Sequence, residues 1–126
     1  MNYVCRLVQN CERREYNMEV EKASEVSFNE ALKLGDKTIA SFYAGWCGKC
    51  RLLRPRLKLI AKQNGEDIQF LEVNIEESPE LRNRLEIKYL PVTMSIEKGV
   101  EKRRSHSIEV DDLQKMVDEL NGITID

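Results

Sequence analysis

Thr38-Ile39-Ala40-Ser41-Phe42-Tyr43 runs without a break through Ala44-Gly45-Trp46 into Cys47-Gly48-Lys49-Cys50, and no other stretch narrows the fold as much. Its β-branched, apolar and aromatic side chains at consecutive positions predict a strand buried in the middle of a sheet. From Cys47 to about Gln63 the period changes. Leu53, Leu57 and Ile60 recur on one helical face, with Leu52 and Leu59 flanking it, until Asn64-Gly65 stops the helix. A buried strand feeding an amphipathic helix through a short loop is the building unit of an α/β domain. Pro55 falls inside the helix, where it removes a hydrogen bond and bends the axis.

The remaining segments fit the same class. Glu19-Val20-Glu21 is a strand candidate, and Ser27 with Glu30 has the capping-box spacing that opens a helix ending near Gly35. Ile68 to Ile75 is a second apolar strand, and Ser78-Pro79-Glu80 places an N-cap, a first-turn proline and an acid at the start of a short helix. Pro91 to Ile96 reads as a strand, Glu97-Lys98-Gly99 as a turn, and Val100 to about His106 as a polar edge partner. Leu113, Met116, Val117 and Leu120 mark a closing helix stopped by Asn121-Gly122. At 126 residues the chain holds one domain, assigned to residues 17–126, after an extension over residues 1–16 with a strand candidate at Tyr3 to Val8.

The cysteine pair sits where strand meets helix. Free amide N–H groups and the positive end of the helix dipole converge there and favour an ionised sulfur at Cys47, and Lys49 adds positive charge in the same sense. Cys50 lies one helical turn on, close enough to close a small disulfide ring. Cys47 is therefore assigned as the exposed nucleophile that attacks a target disulfide, and Cys50 as the thiol that resolves the mixed disulfide. Two other readings stand beside this one: an inert pair of small apolar side chains, and a zinc site completed by Cys5 and Cys11. The five residues between Cys5 and Cys11 make a wide gap for a zinc knuckle, so no metal is assigned.

Trp46-Cys47-Gly48-Lys49-Cys50 is similar to the W-C-G-P-C motif of the thioredoxin family, and the resemblance extends over roughly Glu19 to Gly122. Pro55 matches the family's helix-bending proline, and Leu90-Pro91-Val92 matches its cis-proline turn, usually I-P-T. Phe42, Asn74, the Lys98-Gly99 turn and the last helix also fall into place. The resemblance implies a thioredoxin fold, a central mixed β-sheet flanked by helices on both faces. It implies a protein dithiol–disulfide oxidoreductase whose redox disulfide joins Cys47 and Cys50. Trp46, Gly48, Lys49, Leu90 and Pro91 would hold the substrate chain. No bound cofactor is implied. Reducing equivalents would come from NADPH through a flavin-containing thioredoxin reductase, and the substrates would be disulfide-containing proteins such as ribonucleotide reductase, peroxiredoxins or methionine sulfoxide reductase.

Three departures from the family pattern carry expectations of their own. Lys49 stands where the family has proline; stabilising the thiolate stabilises the reduced form, so the potential is expected above the about −270 mV typical of thioredoxin. Ser41 stands where the family has a buried acid, and Glu72 where a lysine often accompanies it, so Glu72 is the candidate for proton transfer. The glycine expected after the last strand is replaced by Ser105-His106-Ser107, with His106 read as a surface histidine.

Composition bounds the partners. With a net charge of −2 and no aromatic residues interleaved among Arg51, Arg54, Lys58 and Lys62, this basic stripe reads as a solvated face or a steering surface for acidic proteins rather than a nucleic-acid site. No apolar run approaches the roughly 20 residues that span a bilayer. The first residues carry Glu12 and Glu15 among arginines and no apolar leader, so the expected setting is the cytoplasm and the expected state a monomer. A more oxidising oxidase or isomerase, and a binding module that kept the fold, are the alternatives to a reductase.

Overall fold

The computed structural model describes residues 19–123; the strand candidate at Tyr3 to Val8, Cys5 and Cys11 lie outside that range. The described residues form β1 (Val20–Ala23), α1 (Glu25–Leu34), β2 (Lys37–Tyr43), α2 (Gly48–Asn64), β3 (Gln69–Asn74), α3 (Pro79–Arg84), β4 (Val92–Glu97), β5 (Val100–Ser105) and α4 (Val110–Leu120). This is the order the sequence predicts, three strand–helix units followed by a hairpin and a last helix.

The strands make one sheet in the order β1-β3-β2-β4-β5. β3 runs parallel to both β1 and β2, β4 is antiparallel to β2, and β5 is antiparallel to β4. Alternation along the central strands divides the core. Phe42, Leu71, Val73 and Met94 face α1 and α3, where they meet Phe28, Ala31 and Leu81. Ile39 and Phe70 face α2 and α4, where Leu53, Leu57 and Ile60 meet Leu113, Met116 and Val117. Each large apolar side chain buried this way contributes about 1.5–3 kcal/mol. A mixed sheet covered on both faces is the architecture that the resemblance implies.

Two helix starts differ from expectation. α1 begins at Glu25, because Ser24 rather than Ser27 is the N-cap. The Ser24 hydroxyl accepts from the Ser27 N–H at 3.2 Å and the Ser27 hydroxyl accepts from the Ser24 N–H at 2.8 Å, so Ser27 takes the reciprocal place usually held by an acid. At α3, Ser78 precedes Pro79 as expected but makes no side-chain cap bond. Its backbone carbonyl instead accepts from Arg82 at 3.0 Å.

Strand direction positions the site. β2 and β3 run parallel, so the loops that follow them leave the sheet at one end. β4 runs the other way, and its first residue, Val92, pairs with Phe42 near the end of β2. The turn before β4 therefore lies at the same end as the cysteines. β5 is the outer strand, with Glu101, Lys102 and Arg103 exposed along it, charges that discourage pairing with another sheet.

Candidate active site

Cys47 is the N-cap of α2, with φ −86° and ψ 110°. Its Sγ accepts from the backbone N–H of Cys50 at 3.2 Å, so sulfur does here what a serine or aspartate oxygen usually does at a helix start. The N–H donor and the N-terminus of α2 both direct positive partial charge at this sulfur. Cys47 and Cys50 are both free thiols. Cys47 is not the open nucleophile that the sequence predicts: it is 6% exposed, against 2% for Cys50 and 67% for Trp46. The capping geometry turns the sulfur back over the first helical turn. Gly48 opens the approach, because nothing lies within 4 Å of where a side chain would begin.

The two sulfurs differ electrostatically. Burial pushes the Cys50 thiol up to about 12, and the hydrogen bond to the Cys47 side chain and the charge on Cys47 act in the same direction. Cys50 thus keeps its proton at neutral pH.

The loop that carries Cys47 is tied to the loop after β3. The Gly45 N–H donates to Glu76 Oε1 at 3.1 Å, the Glu76 N–H donates to Asn74 Oδ1 at 2.8 Å, and the Ile75 N–H donates to the Tyr43 carbonyl at 2.9 Å. Glu76 has no mark in the sequence that sets it apart from its acidic neighbours. Only the parallel pairing of β2 and β3 brings it to Gly45.

Glu72 lies directly beside Ser41 in the β2–β3 register, and both are buried. A buried carboxylate thus lies on the strand beside Ser41, the position where the resemblance leads one to expect an acid. Its oxygens accept from Arg54, Oε2 from Nε at 3.2 Å and Oε1 from Nη2 at 2.9 Å. Arg54 also covers the Tyr43 ring at 5.2 Å. Burial raises the Tyr43 hydroxyl first, the charge on Glu72 raises it further, and Arg54 opposes both. Arg54 therefore does not belong to an open basic stripe: Arg51, Lys58 and Lys62 stay exposed while Arg54 turns inward to pair. A signal was present in the sequence. A glutamate inside Phe70-Leu71-Glu72-Val73 favours a paired cation once buried, but the sequence does not say which residue supplies it.

The Leu90–Pro91 bond is cis. Pro91 is buried and Leu90 half-buried, while Tyr89 stands 72% exposed just before them. His106 is exposed, and its Nδ1 lies 3.1 Å from the Pro91 carbonyl oxygen. Trp46, Gly48, Lys49, Leu90 and Pro91 thus gather at the end of the sheet that carries the cysteines. Among the described residues, no group of three or more His, Cys, Asp or Glu side chains is placed to hold a metal ion. No helix among them is long and apolar enough to cross a membrane.

Comparison with known proteins agrees with this arrangement. The family profile described as Thioredoxin matches residues 19–119. Thioredoxin H2 of Arabidopsis thaliana is 26% identical over 98 residues, covering 78% of this chain and 73% of that protein. A thioredoxin of Rickettsia typhi is 31% identical over 84 residues, covering 66% of this chain and 80% of that protein. Among solved structures, a mutant thioredoxin from Halobacterium salinarum superposes with a TM-score of 0.79 at 19% identity, covering 87% of this chain and 97% of that one.

Proposed function

This chain belongs to the thioredoxin family and is a dithiol–disulfide oxidoreductase, and from that premise we propose that Cys47 is its nucleophile and Cys50 its resolving thiol. The Cys47 thiolate attacks one sulfur of a protein disulfide. The other substrate sulfur leaves as a thiolate and takes up a proton, and a mixed disulfide joins Cys47 to the substrate. Cys50 then loses its proton and attacks Cys47 Sγ, which releases the second substrate thiol and closes the Cys47–Cys50 disulfide. Two electrons have passed to the substrate.

The observation that carries the assignment is the asymmetry of the pair: the Cys47 sulfur caps the helix and accepts the Cys50 N–H, while the Cys50 thiol is buried and held protonated. Cys50 must give up a proton during resolution, and Glu72 is the buried carboxylate assigned to that transfer. Arg54 donates to both of its oxygens, and Ser41 lies between Glu72 and β4. Trp46, Gly48, Lys49, Leu90 and Pro91 form the surface on which the substrate chain lies. A flavin-containing, NADPH-dependent thioredoxin reductase returns the electrons, and the targets are disulfide-bonded proteins in a reducing compartment, the cytoplasm. Residues 17–126 work as one domain and as a monomer, with residues 1–16 an extension.

A Cys50→Ser variant tests the assignment. Mixed with an oxidised substrate such as insulin, it should accumulate a covalent complex through Cys47 that dithiothreitol releases. No complex, or one linked through another residue, would remove Cys47 from its role. Glu72→Gln should slow turnover by about a hundredfold or more at neutral pH, the scale of a lost general base. Unchanged turnover across pH 6 to 9 would end the role given to Glu72.

A further inference from the structure

We propose that His106 is a positioning residue of the substrate-docking edge: its Nδ1–H holds the Pro91 carbonyl and its ring backs Tyr89, so that the turn before β4 and one aromatic side chain present a fixed surface beside the cysteines. The proposal rests on the reading of Cys47 as the nucleophile and adds to it a residue that the chemistry itself does not use.

The register brings His106 there. Ser105, the last residue of β5, pairs with Thr93, so the chain leaves the sheet beside Val92 and Pro91, at the end where β2 delivers the cysteine loop. Nδ1 of His106 then lies 3.1 Å from the Pro91 oxygen. A carbonyl only accepts, so the hydrogen bond requires the hydrogen on Nδ1. Pro91 has no N–H of its own, which leaves its carbonyl as the one backbone group by which this residue can be held.

The second contact is aromatic. The Tyr89 ring meets the imidazole edge to face, with centroids 6.0 Å apart and planes at 83°. Tyr89 is 72% exposed and Trp46 67%, so two large aromatic side chains stand open at the cysteine end of the molecule. Held in place, such side chains bind without the cost of ordering them at each encounter. The occupant this edge fits is an extended substrate chain with an apolar side chain close to its cystine, its backbone along Leu90–Pro91 and its side chain against Tyr89.

The test separates docking from thiol chemistry. Insulin reduction by the full chain, recycled with dithiothreitol, gives KM and kcat. Alkylation of Cys47 by iodoacetamide, too small to use the docking edge, reports the thiol alone. His106→Leu keeps the bulk and loses the donor, and it should raise KM about fivefold, the scale of one lost hydrogen bond, with kcat and alkylation within about twofold. His106→Asn keeps an N–H donor near the Nδ1 position and should bring KM back to within about twofold of the unsubstituted chain. An unchanged KM in His106→Leu, with the unsubstituted chain active, would overturn the proposal. So would a fall in alkylation rate as large as the change in turnover, because the damage would then lie at the thiols. An unsubstituted chain that does not reduce insulin at all would overturn the cysteine assignment and this proposal with it.

Discussion

Removing the Arg54 side chain should show how much the buried carboxylate at position 72 depends on one cation. The Glu72 side chain is 5% exposed and both its oxygens accept from the guanidinium, whereas the Arg54 side chain is 36% exposed. Breaking a fully buried pair from one side costs about 3–5 kcal/mol, because a charge is left without compensation. The open side of Arg54 lets water reach the gap and screen the charge, which brings the expected loss for Arg54→Met down to about 2 kcal/mol. For a domain of this size that is a fall in Tm of about 8 °C. Adding Glu72→Met removes the stranded charge, and the double variant should return to within about 1 kcal/mol of the unsubstituted chain. Thermal unfolding followed by far-ultraviolet circular dichroism at neutral pH reads all three chains. A single variant as stable as the parent, or a double variant no better than the single, would refute the reasoning.

Cys50, held up to about 12 chiefly by burial, should resist iodoacetamide through about pH 10, while its ionised fraction at pH 9 is about one in a thousand. Peptide mapping by mass spectrometry checks this, and a half-point of modification near the ordinary thiol value would contradict it. The same shift has a sign for stability: the folded state favours the neutral thiol, so the contribution of Cys50 is whole below about 9 and is lost as pH climbs toward about 12. Lys49 is exposed at the helix start, and Lys49→Ala should lower the redox potential by about 10–20 mV, the scale of one surface charge, as read by equilibration with glutathione. A rise would reverse the role given to that lysine. Leu57→Ala should cost about 2–5 kcal/mol in urea unfolding, since Leu57 is 1% exposed at the α2–α4 contact; a loss under 1 kcal/mol would show that the layers repack.

The element order and the cysteine junction were legible because they rest on local patterns: an apolar strand, a change of period at Cys47, and leucines at helical spacing. What escaped the sequence depends on partners far along the chain. Arg54 read as part of a solvated stripe because nothing at positions 51 to 62 announces that Glu72, 18 residues away, lies beneath it. Glu76 looked like any loop acid until the β2–β3 pairing set it against Gly45. His106 followed a polar strand and read as a surface residue; it is exposed, yet only the β4–β5 register brings it to Pro91. Cys47 was expected open because a nucleophile must be reached, but the cap bond to the Cys50 N–H folds its sulfur inward. The start of α1 slipped by three residues because a serine at position 27 does the work that the capping pattern reserves for an acid.

Peptide mass analysis of the full chain after a single turnover with excess protein disulfide is the most direct measurement of whether these two sulfurs carry the electrons. The peptide holding Cys47 and Cys50 should have lost two hydrogens and bear an internal disulfide, formed in equal amount to the substrate disulfide reduced, with both signals gone in Cys47→Ser. Substrate reduced while Cys47 and Cys50 remain free thiols, or reduction that persists in Cys47→Ser, would contradict the assignment.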